Sequence, residues 1–237
     1  MKFNVYRFNK NGPDTIEFDP KTLFCISDSG RTAADRMEHL VELSKNGIPL
    51  PDSGDPDMSF NPVSSILLTH QSKIDVLGTK TTGEVEFVLF VAEDNIYVTV
   101  GSDHADRKLE SLQSDLSKQV CAKPVAKSAF HYEDVLPYWD EFVLSLETTY
   151  DGKTECAQTS SVTFLSHPDT IISRIKSEGL PFENGCAYFC GTIPMQDSIF
   201  RFGGHYLLSM KNHALDVLIE HEYDVCSIMQ NVKYYSV

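Results

Sequence analysis

The stretch of residues 83–107 constrains the fold of this chain more than any other. Two runs rich in β-branched and aromatic residues flank the acidic turn 93–95, a pattern that predicts a β-hairpin. Successive side chains of a strand point to opposite faces, so Glu84 and Glu86 project from the same side. Asp103 comes just after the second strand. The hairpin is therefore predicted to bring three carboxylates together at one end.

Three carboxylates in one site repel one another unless a cation lies among them or they take up protons. An all-oxygen set of ligands suits a hard divalent cation, so Mg²⁺ or Mn²⁺ is expected before Zn²⁺. A metal site at Glu84, Glu86 and Asp103 is therefore one interpretation of this spacing. The alternative is a pair of glutamates on the solvent-exposed face of a strand, with Asp103 capping the next helix.

The order of the predicted elements indicates one β-dominated α+β domain that spans residues 1–237. A second hairpin is predicted over 142–165, where Asp151-Gly152 is a typical two-residue turn, and a third over 205–225. With 41% hydrophobic and 23% charged residues, the composition is that of a globular domain in water.

The charge of the chain excludes some classes of partner. The formal net charge is −14, from 34 acidic and 20 basic residues. This excess argues against binding of nucleic acid or of an anionic membrane surface, because both need clustered Lys and Arg. The N-terminus lacks an apolar run of signal-peptide length, and no later run approaches the length of a membrane span.

The six cysteines include no Cys-x-x-Cys pair, which favours reduced thiols in a cytoplasmic protein. Cys186 and Cys190 lie four residues apart in a predicted strand. That spacing separates them by about 13 Å, too far for a disulfide, so both are expected to be structural and reduced.

A helix predicted over 32–45 carries two groups that bear on function. Its inward stripe is expected to consist of Met37, Leu40, Val41 and Ser44. His39 and Glu42 then share the opposite, outward face at i, i+3 spacing. An ordinary solvated helix gives the same pattern, so both interpretations stay open. The Pro-, Gly- and Asp-rich segment 51–62 follows and is predicted to be a mobile loop.

The hairpin carboxylates match the metal motif of a known family. The fumarylacetoacetate hydrolase superfamily has Glu-x-Glu on a strand, followed by an Asp inside an Asn-Asp-x-x-x-Arg signature. Glu84-Val85-Glu86 matches the first part, and residues 102–107 match the second with Ser102 in place of Asn. The chain resembles this superfamily, and most closely an uncharacterised bacterial branch of it.

Other motifs follow in the same order. Lys118 in Ser117-Lys118-Gln119 resembles the superfamily's lysine element, and Gln158 after the second hairpin turn also fits. The run Gly191-Thr192-Ile193-Pro194 is similar to its Thr-Gly-Thr-Pro element. Upstream, the superfamily carries Asn-Tyr-x-x-His-x-x-Glu on a lid helix, of which His39 and Glu42 are present here.

Two departures accompany the resemblance. Asp35 and Arg36 stand at the Asn-Tyr positions of the upstream motif. The 17 residues from Glu86 to Asp103 are fewer than is usual in the superfamily, so the hairpin is shorter. The wall of the substrate pocket beside the hairpin is therefore expected to differ.

The resemblance implies a mixed β-roll or sandwich fold with a few helices. Residues 1–60 would supply N-terminal strands and the lid helix, and residues 61–237 the metal-binding core. It further implies an Mg²⁺ or Mn²⁺ enzyme and a homodimer. The implied roles are an acid–base pair (His39 and Glu42), stabilisation of oxyanion charge (Lys118) and substrate binding (Arg107, Gly191 and Thr192).

The leading functional prediction is a metal-dependent hydrolase that cleaves a carbon–carbon bond in an acylpyruvate-like or related 1,3-dicarbonyl 2-oxo acid. A metal ion would stabilise the negative charge that forms when this bond breaks. One alternative keeps the site and changes the reaction to decarboxylation, hydration or tautomerisation of a 2-oxo acid. Another is a non-catalytic relative with a binding or regulatory role.

Overall fold

The computed structural model describes residues 1–8, 14–48 and 57–228, which contain two main β-sheets and a few short helices. The strands are β1 (Lys2–Tyr6), β2 (Thr15–Glu17), β3 (Thr22–Ser27), β4 (Ser59–Val63), β5 (Leu68–Thr69), β6 (Lys73–Val76), β7 (Thr81–Thr82), β8 (Val85–Ala92), β9 (Asn95–Ser102), β10 (Ala105–Asp106), β11 (Lys123–Pro124), β12 (Ser128–His131), β13 (Phe142–Tyr150), β14 (Lys153–Ser161), β15 (Cys186–Thr192), β16 (His205–Asn212) and β17 (Val217–Ser227). The α-helices are α1 (Ala33–Lys45), α2 (Arg107–Glu110), α3 (Ser114–Gln119), α4 (Tyr132–Val135) and α5 (Pro168–Ser177).

The predicted hairpin lies at the centre of the larger sheet. The strand order is β2-β1-β12-β9-β8-β15-β3-β4, so β8 and β9 each have a second neighbour. Glu86 pairs with Gly101 in the hairpin register. The turn is Glu93-Asp94, whose φ angles of 50° and 59° suit the type I′ geometry of right-twisted hairpins. The hairpin prediction is confirmed, and Asn95 already belongs to β9.

Apolar side chains cover both faces of the larger sheet, so β8 is buried along its whole length. One face packs on the five-stranded sheet, ordered β14-β13-β16-β17-β6, where Phe87 of β8 and Leu144 of β13 share one core. Val88 and Phe90 belong to a second cluster on the other face. Glu86 lies two residues before Val88, so its side chain projects from the same face of β8. The Glu86 carboxylate therefore points away from the core between the sheets.

The helix predicted over 32–45 is present as α1, and its ends follow capping chemistry. Thr32 and Asp35 form a capping box, in which each side chain accepts a hydrogen bond from the other's backbone N–H. Asn46 caps the C-terminus, and Gly47 follows with a φ of 80°, a left-handed conformation that glycine adopts without steric cost.

The predicted orientation of α1 is wrong. Met37 and Val41 are 45% and 44% exposed, whereas Leu40 and Glu42 are buried. The helix is rotated so that its polar residues His39 and Glu42 face the protein. Leu40 faces inward as predicted and Leu43 packs against the core, but a local pattern cannot detect the Met195 amide, on a distant segment, that binds Glu42.

The predicted β-dominated α+β class is confirmed, as are the hairpins β13–β14 and β16–β17. Of the predicted loop 51–62, residues 51–56 lie outside the described residues, and its end forms strand β4. Cys186 and Cys190 are buried in β15 and unpaired. Among the described residues, no helix has both the length and the apolar character needed to cross a membrane.

Candidate active site

Glu84, Glu86 and Asp103 form a single buried cluster at the end of the β8–β9 hairpin. One carboxylate oxygen from each lies within 4.8 Å of the others. Hairpin pairing creates this proximity, because the Asp103 amide donates a hydrogen bond of 3.1 Å to the Glu84 carbonyl oxygen. The clustering predicted from the strand pattern is therefore present.

Three buried cations surround these carboxylates. Lys118 Nζ lies 2.5 Å from Asp103 Oδ2, and Lys123 Nζ lies 3.2 Å from Asp103 Oδ1. Burial opposes ionisation of Asp103, but the two ammonium groups outweigh it and hold the pKa of Asp103 below its usual value. Arg107 Nη2 lies 2.9 Å from Glu84 Oε1.

Glu86 is held by the neighbouring strand. The Gly191 amide donates a hydrogen bond of 2.7 Å to Glu86 Oε2. Burial and the nearby Asp103 carboxylate raise the pKa of Glu86 well above its usual range. The charge of Glu86 therefore lacks a counter-charge of its own.

The cluster fits a divalent cation. Glu84 Oε1 and Asp103 Oδ1 are buried, and each lies next to one cationic group, Arg107 Nη2 at 2.9 Å and Lys123 Nζ at 3.2 Å respectively. Arg107, Lys118 and Lys123 offset three negative charges, but Glu110, which pairs with Arg107 at 2.6 Å, adds a fourth carboxylate to the three of the cluster. With all four carboxylates ionised, the negative charges would exceed the three cations by one. Without a metal this excess favours a proton on Glu86, and the all-oxygen donors are the type that Mg²⁺ and Mn²⁺ prefer.

A cavity of about 360 Å³ opens onto this cluster. Glu84, Glu86 and Lys118 line it, together with His39 and Leu40 of α1. The lining also includes apolar side chains and several hydroxyl and amide groups. A cavity of mixed lining with a few convergent charged groups is a typical site for a small ligand.

His39 and Glu42 differ in their position relative to this cavity. His39 lines it, and His39 Nδ1 is buried without a hydrogen-bond partner. Glu42 Oε2 instead accepts a hydrogen bond of 2.8 Å from the Met195 amide, beyond the end of β15. The outward face predicted for both residues is wrong, because α1 turns them toward the protein.

The other predicted site residues are placed as follows. Lys118 lines the cavity. Arg107 is buried against Glu84, Glu110 and the ring of Phe200, 4.4 Å from the ring centroid. Its guanidinium is therefore engaged by protein groups, and the substrate contact inferred for it stays a prediction.

Gly191 and Thr192 line the cavity, but their polar groups are bonded within the protein. The Gly191 amide donates its hydrogen bond to Glu86. Thr192 Oγ1 donates 2.9 Å to the Val85 carbonyl oxygen and accepts from Gln158 Nε2 at 2.9 Å. Both residues hold β8, the strand that carries Glu86, in place. Their contact with substrate stays a prediction.

Sequence reasoning did not single out three charged residues of this region. Lys123 is fully buried and donates hydrogen bonds to the carbonyl oxygens of His104, Lys118 and Cys121. Asp28 and Arg36 line the cavity beside His39. The sequence does contain a signal for Asp28, since this residue directly follows the apolar strand β3, as Asp103 follows β9.

Gly191 is expected to tolerate no side chain. Its φ is +90°, and an added Cβ would lie 1.8 Å from Ser29 Oγ. We expect Gly191→Ala to lower the free energy of unfolding, measured by urea titration, by about 2 kcal/mol more than Gly152→Ala does. Gly152 is a matched control, with a φ of +72° and no atom within 4 Å of an added Cβ. Equal losses in the two variants would contradict the clash with Ser29.

Glu42 gives the protein a pH-dependent stability. Burial is the main cause that raises its pKa from 4.5 to about 7. The folded state therefore keeps a proton that the unfolded state loses, and stability declines as pH rises from 4.5 through 7. In metal-free protein, we expect Glu42→Gln to stabilise by about 2 kcal/mol at pH 8 and by little at pH 4.5.

The exposed Glu38 on the same helix supplies the control for this measurement. Glu38→Gln is expected to shift the free energy of unfolding by less than about 0.5 kcal/mol at either pH. A stabilisation by Glu42→Gln of the same size at pH 4.5 and pH 8 would show that Glu42 titrates alike in the folded and unfolded states.

Comparisons with solved structures show the fold. Fumarylpyruvate hydrolase from Pseudomonas aeruginosa, in complex with Mn²⁺ and pyruvate, matches with a TM-score of 0.59 and 15% identity over 96% of both chains. A protein assigned to the fumarylacetoacetate hydrolase family from Yersinia pestis CO92 matches with a TM-score of 0.62 and 14% identity, over 89% of this chain and 95% of that one. A 2-keto-3-deoxyarabinonate dehydratase matches with a TM-score of 0.62 and 13% identity, over 92% and 78%.

These three chains share the arrangement of sheets described above at low sequence identity, so they establish a fumarylacetoacetate hydrolase-like fold. No curated protein gives a significant sequence match. A family model described as a protein of unknown function, DUF2848, matches residues 28–223. The chain therefore belongs to the DUF2848 family, and it has the fumarylacetoacetate hydrolase-like fold.

Proposed function

We propose that this protein is an Mg²⁺- or Mn²⁺-dependent hydrolase that cleaves a carbon–carbon bond in an acylpyruvate-like 2-oxo acid. The observation that carries the proposal is the buried cluster of Glu84, Glu86 and Asp103, of which Glu84 and Glu86 line a cavity that His39 also lines. A general base and a cation site facing one small cavity suit hydrolysis of a small anionic substrate.

A divalent cation held by the three carboxylates would bind the carboxylate and 2-oxo oxygens of the substrate and withdraw electron density from them. Arg107 and Lys123 position Glu84 and Asp103 through their ion pairs. Lys118 adds a positive charge at the cavity wall, where it stabilises negative charge on a substrate oxygen.

His39 acts as the general base. It takes a proton from a water molecule, whose oxygen attacks the carbonyl carbon distal to the 2-oxo acid. The bond between this carbon and the adjacent methylene breaks, and its electron pair stays with the methylene carbon. That carbon takes up a proton from His39, which yields a carboxylic acid and pyruvate or a related 2-oxo acid.

A substrate panel tests the reaction. The Mg²⁺- and Mn²⁺-loaded protein is incubated with acylpyruvates, oxaloacetate and unsaturated 2-hydroxy acids, and the products are identified by mass spectrometry. In ¹⁸O-labelled water, hydrolysis places one ¹⁸O atom in the carboxylic acid product. Turnover without this label in the acid identifies decarboxylation, hydration or tautomerisation at the same site. Absence of turnover with every compound favours a binding or regulatory role.

The cellular context is also part of the proposal. Cys186, Cys190 and the other described cysteines are unpaired, which supports a reducing, cytoplasmic environment. We further infer a homodimer from the resemblance to the superfamily. Light scattering on the purified protein, with a mass near twice the 26.6 kDa of the chain, tests this assembly.

A further inference from the structure

Tyr223 reaches the carboxylate cluster from the smaller sheet. It lies on β17 and is fully buried. Its hydroxyl oxygen lies 2.9 Å from Ser102 Oγ and 3.0 Å from His104 Nδ1, both within hydrogen-bond distance. Ser102 and His104 are the residues immediately before and after Asp103. One hydroxyl from a distant strand therefore bridges both neighbours of a carboxylate of the cluster.

The same hydroxyl also approaches the segment that leads to Glu84. Gly83 directly precedes Glu84. A Cβ added at Gly83 would clash with the Tyr223 hydroxyl and would lie 2.7 Å from Ser102 Oγ. Gly83 thus leaves the space that the two hydroxyl groups occupy. The Tyr223 hydroxyl is consequently packed between the segments that carry Glu84 and Asp103.

The pairing of β9 with β8 ends just before Asp103. Strand β9 ends at Ser102, and beyond it the Asp103 amide donates one hydrogen bond to the Glu84 carbonyl oxygen. The Asp103 carboxylate is also paired with Lys118 and Lys123. Contacts that hold the residues on both sides of Asp103 therefore restrict how far its carboxylate can follow these two cations away from the cluster.

We propose that Tyr223 is a positioning residue for the cation site, and that its hydroxyl holds Asp103 in the cluster through Ser102 and His104. The inference rests on the cation site of the proposed function and deepens it. Tyr223 acts on the cation only through the residues it holds, and the carboxylate oxygens remain the ligands. Loss of its hydroxyl would let the segment 102–104 shift, which weakens cation binding although every ligand is still present.

Tyr206 is the matched control for a change at Tyr223. It is also fully buried, and its ring stacks on that of Tyr223 with 5.3 Å between the centroids. Its hydroxyl accepts a hydrogen bond of 3.0 Å from the Gly203 amide and lies 3.1 Å from the Arg201 carbonyl oxygen and 3.4 Å from Thr82 Oγ1. None of these three partners is next in sequence to a carboxylate of the cluster.

Calorimetry with Mn²⁺ tests the proposal. We expect Tyr223→Phe to raise the Kd for Mn²⁺ about tenfold, the lower end of the range for residues that orient metal ligands, because the hydroxyl acts through the neighbours of the ligand. Tyr206→Phe should stay within about twofold of the wild type. Each variant loses one buried hydroxyl, so urea titrations should show a similar loss of stability in both. If Tyr223→Phe does not fold, Ser102→Ala removes one of the two contacts and should raise the Kd about threefold.

Hydrogen exchange in the metal-free protein gives a second measurement. The Asp103 amide should exchange at least about tenfold faster in Tyr223→Phe than in Tyr206→Phe, because its bond to the Glu84 carbonyl oxygen opens more often. An unchanged Kd in Tyr223→Phe, or equal increases in the two tyrosine variants, overturns the proposal. A wild-type protein that binds no Mn²⁺ would instead sink the proposed function. The exchange comparison would then decide the role of Tyr223, and equal rates in the two variants would exclude it.

Discussion

Removal of Glu86 is expected to abolish tight Mn²⁺ binding. Glu86 supplies one of three clustered carboxylates, and Glu86→Ala leaves only Glu84 and Asp103, both already paired with buried cations. Mutation of residues that merely orient metal ligands lowers affinity about 10- to 100-fold, so loss of a ligand should exceed about 100-fold. Isothermal titration calorimetry with Mn²⁺ measures this directly.

Two further variants make the result interpretable. Glu86→Gln keeps the size of the side chain and an acceptor for the Gly191 amide, so it separates loss of charge from loss of packing. Glu222→Gln removes an exposed acidic residue far along the chain and should bind Mn²⁺ as the wild type does. If Glu86→Ala also binds Mn²⁺ with wild-type affinity, the cation site lies elsewhere.

Replacement of His39 is expected to lower turnover by roughly 10²- to 10⁴-fold, the usual range for loss of a general base. His39 faces the cavity, but it belongs to α1 and is not part of the carboxylate cluster. His39→Ala should therefore leave Mn²⁺ affinity unchanged. Binding of oxalate, which resembles the chelating end of a 2-oxo acid, should be unchanged as well.

The comparison uses steady-state kinetics on the best substrate of the panel, with calorimetry for Mn²⁺ and oxalate. Met37→Ala on the exposed face of α1 is the control for changes in the helix itself. Wild-type turnover in His39→Ala would exclude a catalytic role for His39. Weakened Mn²⁺ binding in this variant would instead make His39 a metal ligand.

The sequence by itself determined the carboxylate cluster, because its geometry is local. Strand alternation places Glu84 and Glu86 on one side, and a two-residue turn brings Asp103 opposite Glu84. Hairpin register depends only on residues near one another in the chain. The same reasoning located α1, whose capping residues Thr32 and Asp35 lie next to it in sequence.

The tertiary structure alone decided which face of α1 is buried. A local pattern assigns apolar residues inward, but here Met37 and Val41 are exposed and Glu42 is buried. The inward face of α1 meets the apolar core through Leu43 and also the Met195 amide, which gives the buried Glu42 carboxylate a hydrogen bond. No spacing rule detects the polarity of a surface that distant segments build.

Long-range packing also placed charged residues around the carboxylate cluster. Lys123 belongs to none of the motifs found in the sequence, yet it is buried against Asp103 and the carbonyl oxygens of His104, Lys118 and Cys121. Asp28 comes to the cavity because β3 lies beside β15 and β15 beside β8. Strand order in a sheet joins segments more than fifty residues apart, and it depends on the whole core. The sequence therefore determined the carboxylate cluster, and the tertiary structure decided which charged residues surround it.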